Sequence, residues 1–125
     1  MDGSWNLKPH GSFPKKPENG AYISREPKGI PDVLLFAQET GEEKILGTAA
    51  ILSVQGITAR IVLVADMDLF LKQDADYIRS VFSEDVPVRV GLMDDGTEYP
   101  FQTVILPADT EKQALAQEVI RQLRT

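Results

Sequence analysis

The sequence contains no cysteine and only one histidine, His10. The absence of thiols excludes disulfide bonds, thiolate metal sites and a cysteine nucleophile. A single imidazole cannot build a zinc site of several histidines, and a serine–histidine–aspartate triad would need its base within a proline-rich N-terminal stretch. The sequence therefore predicts no catalytic residue, no metal ligand and no cofactor.

Long apolar runs are also absent. No stretch reaches the roughly 18–20 apolar residues that a membrane-spanning helix needs. The longest dense run, residues 57–71, is interrupted by four polar or charged side chains. The first ten residues show neither the basic nor the apolar region of a secretory signal. We therefore expect no membrane span and a cytoplasmic protein.

Charge is unevenly distributed along the chain. Residues 1–31 carry five basic and three acidic side chains, a net charge of +2, whereas residues 32–125 carry eight basic and sixteen acidic ones, a net charge of −8. An acidic body repels phosphate backbones, so nucleic acid is excluded as a partner. The acidic surface either keeps the domain soluble or faces a basic partner.

The N-terminal part of the chain differs in composition from the rest. Five of the eight prolines lie in residues 1–31, and each restricts the preceding residue to extended geometry. We predict an extended Pro/Gly-rich arm over residues 1–31 and one α+β domain over residues 32–125. The arm carries Trp5, Phe13 and Tyr22, although a purely solvating linker is usually poor in aromatic residues. We predict that these three rings bind a partner chain or dock on the body of the same chain.

Three apolar runs follow the arm, over residues 33–37, 45–54 and 57–65, and short glycine-containing turns separate them. The β-branched density of residues 61–64 is typical of a strand that is buried on both faces. Because the connections between the runs are short, we expect three strands in an antiparallel meander.

Two segments have the apolar spacing of helices. Residues 66–83 place apolar side chains at intervals of three, four and seven, which predicts one helix. The C-terminal segment places Leu115, Val119 and Leu123 on one stripe, and the spacing of Thr110 and Gln113 is typical of a capping box.

Alternating apolar residues on both sides of Asp94-Asp95-Gly96 predict a β-hairpin over residues 86–105. Pro100 lacks an amide donor, so its strand should lie at an edge or contain a bulge. The predicted fold is thus a single small α+β domain of order β-β-β-α-β-β-α. Its sheet should be mainly antiparallel, or a roll, with the C-terminal helix packed on it.

A pair of carboxylates, Asp66 and Asp68, directly follows the most apolar run. Either residue could cap the following helix by accepting hydrogen bonds from free N–H groups. Alternatively, carboxylates at a strand end could hold Mg²⁺ for phosphoryl or hydrolytic chemistry. A calcium loop of the EF-hand type is excluded, because Leu71 stands where that loop needs glycine.

No spacing in the sequence specifies a reaction. We therefore predict a non-catalytic interaction module, such as an adaptor, an inhibitor or immunity protein, or an assembly protein. It would act through its acidic surface and its aromatic-bearing arm, and its partner would be another protein or a second copy. Enzymatic activity stays open, with a small Mg-dependent hydrolase or phosphotransferase using Asp66 and Asp68 as the alternative.

Overall fold

The structure consists of a central sheet with helices on both faces. It is a computed structural model, and it describes residues 19–82, 85–93 and 103–124. The strands are β1 (Ala21–Arg25), β2 (Val33–Gln38), β3 (Ala59–Val64), β4 (Val88–Leu92) and β5 (Val104–Leu106). The helices are α1 (Glu42–Val54), α2 (Met67–Leu71), α3 (Ala75–Val81) and α4 (Lys112–Leu123), and a 3-10 turn over Glu39–Gly41 precedes α1. Within the described ranges, no helix is long and apolar enough to cross a membrane.

The sheet has five strands in the order β1-β3-β2-β4-β5. Only β1 is antiparallel to its neighbour, whereas β2 is parallel to both β3 and β4, and β4 is parallel to β5. In the centre of the sheet, Leu35 lies between Ile61 and Val90. The predicted class, a single small α+β domain with a C-terminal helix on its sheet, is confirmed. The predicted mainly antiparallel pairing is wrong.

The error in strand direction comes from residues 45–54. Their sequence pattern predicted a strand, whereas in the structure they belong to helix α1. Ile45, Thr48 and Leu52 of α1 are buried, and further apolar residues around the helix are partly buried. A helix with apolar and small residues on most sides shows little contrast between its faces, so its period is hidden. Two acidic residues in its first turn suit the positive end of the helix dipole. With α1 as the crossover, β2 and β3 are parallel.

Strand β1 lies inside the predicted arm. Its Ala21 and Tyr22 are buried, and Tyr22 pairs with Leu63 of β3. Gly20, just before β1, has a φ of +93°, and a Cβ there would lie 2.7 Å from Cα of Phe70. The sheet therefore begins before the predicted domain boundary at residue 31. The predicted extended geometry of residues 1–18 lies outside the described residues.

The predicted helix over residues 66–83 is two short helices, each with its own aspartate cap. The Leu69 amide donates to Oδ1 of Asp66 over 3.1 Å at the start of α2. The Tyr77 amide donates to Oδ1 of Asp74 over 2.9 Å at the start of α3. The capping role predicted for Asp66 is confirmed. The second cap was missed because the apolar spacing continues across the break.

Strands β4 and β5 are parallel neighbours, with Val90 opposite Val104. The predicted hairpin over residues 86–105 is therefore wrong, because two strands joined by a tight turn must be antiparallel. The predicted turn at residues 94–96, and Pro100 with it, lies outside the described residues. Helix α4 begins at Lys112 without a side-chain cap, so the predicted capping box is also wrong.

Side chains alternate between the two faces of the sheet, as a pleated strand requires. Helices α1 and α4 cover one face, where Leu115, Ala116 and Val119 of α4 join the core. Helices α2 and α3 cover the other face, where Phe70 and Phe82 join a second core. Both faces of the central strands are therefore buried, as the apolar run over residues 61–64 predicted.

Candidate functional site

The parallel strands end at one side of the sheet, here called the carboxyl edge and defined by residues 39–44, 65–68 and 107–112. From β2 the chain passes through α1 to β3 on one side, and from β4 it continues to β5 on the other side. Because β2 and β4 are neighbours, their connections diverge. In open α/β sheets such a divergence leaves a crevice where ligands bind.

A cleft of about 330 Å³ lies at this divergence, and we call it the switch-point cleft. Its apolar lining comes from Ala37 at the end of β2 and Leu92 at the end of β4. The exposed residues Thr40 and Glu43 form part of its rim. Lys44 also lines the cleft, and its Nζ donates to the Ala108 carbonyl oxygen over 2.9 Å. The cleft thus combines an apolar floor with a polar rim.

The carboxyl edge is strongly acidic. It holds seven carboxylates and only two lysines, Lys44 and Lys112. The carboxylates are Glu39, Glu42, Glu43, Asp66, Asp68, Asp109 and Glu111. A surface with this charge attracts cations and cationic segments, and it repels phosphates.

Tyr22 and Glu39 join β1 to the turn after β2. The Tyr22 hydroxyl donates to Oε2 of Glu39 over 2.6 Å. Burial raises the pKa of Tyr22 above its ordinary value, and the hydrogen bond to Glu39 raises the pKa further. The phenol therefore stays protonated near neutral pH and acts as a donor, not as a base. This pair holds the edge together and offers no proton transfer near neutrality.

Replacing Tyr22 with phenylalanine (Tyr22→Phe) is expected to lower the free energy of unfolding by about 1 kcal/mol near pH 7, because a partly buried hydrogen bond is lost. Since the folded pKa lies above the unfolded value of about 10, the hydroxyl's contribution is complete below pH 10. It is lost as pH rises through the folded pKa.

Urea unfolding at pH 7 and pH 10.5 measures both effects, the pH values being chosen to bracket the unfolded pKa of about 10. The parent should lose more stability than Tyr22→Phe between the two values. An equal loss in both proteins would contradict this assignment.

The other predicted site residues lie in different parts of the chain. Asp66 caps α2, and Asp68 is exposed in the first turn of that helix. In the part of the chain that the structure describes, no three His, Cys, Asp or Glu side chains group closely enough to hold a metal ion. Tyr22 packs in its own domain, while Trp5 and Phe13 lie outside the described residues, so partner binding by these aromatic residues stays a prediction.

The switch-point cleft and the Tyr22–Glu39 pair were not found by the sequence analysis. The cleft exists because β2 and β4 are parallel neighbours, and the antiparallel interpretation removed that possibility. The carboxylates themselves were visible in the sequence, but α1 had to be identified as a helix before they could be placed on one edge.

The sequence of the chain is similar to that of known proteins. The family model described as "Transketolase-like TK C-terminal domain" matches residues 20–118. Transketolase 1 of Escherichia coli is 34% identical over 87 residues, which cover 68% of this chain and 13% of that protein. The transketolase of Aquifex aeolicus is 34% identical over 79 residues, covering 63% of this chain and 12% of that protein. The chain therefore spans only a small C-terminal-type portion of such relatives.

The fold of the chain is similar to that of part of several solved structures. A transketolase mutant from Pichia stipitis superposes with a TM-score of 0.74 at 20% identity, covering 94% of this chain and 20% of that one. A split-gene transketolase described as an inactive beta4 tetramer has a TM-score of 0.56 at 18% identity. That match covers 99% of this chain and 44% of the other. At these identities the likeness concerns the fold alone.

Proposed function

This chain belongs to the transketolase-like C-terminal domain family, and we propose that it serves as the C-terminal domain of a transketolase-type enzyme whose catalytic groups lie in other domains. The observation that carries this proposal is the extent of the family match. The match runs from residue 20, next to β1, to residue 118 within α4, so it includes the whole described sheet.

The family match corrects the predicted function. A standalone adaptor, inhibitor, immunity or assembly module is wrong, because the matched family is a domain of enzymes that carry further, catalytic domains. The alternative, a small Mg-dependent hydrolase or phosphotransferase, is wrong as well. The matched family is a different one. Of the two residues on which the alternative rested, Asp66 caps α2 and Asp68 is exposed in the first turn of that helix.

We propose that the domain contributes binding surface to the enzyme. Its role would be to hold the neighbouring domains in place, without taking part in the reaction itself. Its partners would be the catalytic domains and a second copy of the assembly, which keeps the predicted protein partner and self-association. The acidic body supports the exclusion of nucleic acid. We also propose a cytoplasmic location, as predicted from the sequence.

Domain replacement in Escherichia coli transketolase 1 tests the proposal. One variant lacks the C-terminal segment that aligns with this chain, and a second carries residues 19–125 of this chain in its place. We expect the deletion to lose activity and folded enzyme, because a domain interface is left uncovered. We expect the replacement to restore a measurable part of both.

Transketolase activity and molar mass in solution are the two measurements. A replacement that carries Gly91→Ala, which weakens the core of the inserted domain, is the matched control and should restore less activity and less folded enzyme than the parent replacement. If the inserted domain is folded by hydrogen exchange and the enzyme is still no better than the deletion, the proposal is contradicted.

A further inference from the structure

We propose that the switch-point cleft binds a small organic cation, namely an amine with an apolar body. Its ammonium group would lie at the rim beside Glu43, and its apolar part would lie against Ala37 and Leu92. This site is independent of the proposed role in a transketolase-type enzyme, because all the residues that form it belong to this domain.

The cleft lies where open α/β sheets bind their ligands, between neighbouring parallel strands whose connections diverge. Ala37 of β2 and Leu92 of β4 are register partners and line the cleft together. Beyond this pair the chain leads from β2 to α1 on one side and from β4 to β5 on the other. The volume of about 330 Å³ falls within the range of about 300–1,000 Å³ that is typical of small-molecule sites. The topology therefore provides a place for a ligand.

The lining of the cleft suits a ligand with an apolar body and one polar end. Ala37 and Leu92 are buried and form the floor. Gln38, Thr40 and Glu43 line the cleft with exposed side chains, and each has an oxygen that accepts a hydrogen bond from an ammonium group. In the described part of the chain, Glu43 has no salt-bridge partner. Its carboxylate is therefore available to a cationic ligand.

The charge of the carboxyl edge determines which sign of ligand the cleft favours. This edge holds seven carboxylates and only two lysines, so its field attracts cations and repels anions. The low-dielectric walls of a cleft focus such a field. A cationic ligand is therefore favoured over a neutral ligand of the same shape, and an anionic ligand is disfavoured.

Two features of the cleft could hold an anion, the start of α1 and Lys44, but both have other contacts. The amide of Glu42 at the start of the helix donates to the carbonyl oxygen of Glu39. Glu42 and Glu43 also place two negative charges in the first turn of α1, where they interact with the helix dipole in place of an anion. The Lys44 ammonium donates to the carbonyl oxygen of Ala108 over 2.9 Å. These contacts disfavour a phosphate or a carboxylate as the ligand.

Three ring compounds that differ mainly in charge test the site, namely benzylammonium, benzyl alcohol and benzoate. Each is titrated into the full chain near neutral pH and at low salt, and the amide chemical shifts are followed by NMR. Benzylammonium is expected to shift the amides of residues 37–44 and of Leu92, with a Kd in the millimolar range. It should bind about fivefold to tenfold more tightly than benzyl alcohol, because one close ion pair contributes a factor of this order. Benzoate should bind more weakly than benzyl alcohol, and added salt should reduce the advantage of benzylammonium.

Glu43→Gln removes the charge at the rim and keeps the shape of the side chain. We expect this variant to bind benzylammonium about threefold to fivefold more weakly and to bind benzyl alcohol as the parent does. Asp76→Asn in α3 is the matched control. It removes the same charge from an exposed side chain on the opposite face of the sheet from α1, and it should leave the binding of both compounds unchanged.

Three results would each overturn the inference. The first is benzylammonium that binds no more tightly than benzyl alcohol or benzoate. The second is an absence of shifts at residues 37–44 when benzylammonium is added. The third is an equal loss of affinity in Glu43→Gln and Asp76→Asn, because it would assign the preference to the net charge of the whole chain and not to the cleft.

Discussion

Replacing Gly91 with alanine (Gly91→Ala) is expected to lower the free energy of unfolding by about 3 kcal/mol. Gly91 lies in β4 opposite Phe36 of β2, and both face the core under α2 and α3. A Cβ at Gly91 would lie 2.7 Å from Cε1 of Phe36 and even closer to two other ring atoms. The ring is fully buried and contacts Phe82, with 5.0 Å between the ring centroids, so it has no free space to move into.

Thermal and urea unfolding measure this effect. A loss of about 3 kcal/mol corresponds to a fall in Tm of roughly 12 °C or more for a domain of this size. Gly47→Ala in α1 is the matched control, because its new Cβ would meet the side chain of Lys112, with Cδ 3.0 Å away. That lysine can move, and alanine favours the helix. Equal losses in the two variants would show that ring overlap does not determine the cost.

Replacing Arg60 with methionine (Arg60→Met) is expected to cost about 3 kcal/mol, because it leaves a carboxylate buried without its partner. Arg60 binds Glu26 through two contacts, Nε to Oε1 at 2.8 Å and Nη2 to Oε2 at 2.5 Å. The two side chains are only 10% and 12% exposed. Arg60 also donates to the carbonyl oxygen of Val81 over 3.0 Å, so it ties β3 to the end of α3.

Urea unfolding of the single and double variants measures the interaction free energy between Arg60 and Glu26. Glu26→Gln should cost less than Arg60→Met, because the amide oxygen still accepts a hydrogen bond. The double variant should lose less than the sum of the single losses, which measures the coupling. Arg79→Met is the matched control. Its pair with Asp76 is 53% and 94% exposed, and its loss should stay within about 0.5 kcal/mol. A similar loss in Arg79→Met and Arg60→Met would contradict a role for burial.

The ion pair of Arg60 and Glu26 could not be predicted from the sequence. In the sequence, Arg60 only interrupts an apolar run. Glu26 precedes it by 34 residues, and nothing local connects them. The two meet because β1 is antiparallel to β3, which brings the residue after β1 next to the start of β3. The same pairing carries Tyr22 into the core.

Sequence alone determined those properties of this protein that depend on residue type and on neighbours along the chain. The absence of thiols, the acidic body, the buried strand over residues 61–64, the Asp66 cap and the apolar stripe of α4 all belong to this class, because each is set within a few residues. Sequence also limited the chemistry available, but it did not identify the enzyme family.

Only the tertiary structure decided which strands are neighbours and in which direction they run. The apolar surface of α1 hides its helical period, so residues 45–54 satisfied a strand pattern as well as a helical one. Once that segment is a crossover helix, β2 and β4 become parallel neighbours, their connections diverge, and the cleft and the acidic edge come together. These features depend on contacts between residues that are far apart in the chain. The free energy of such contacts cannot be inferred from a local sequence pattern.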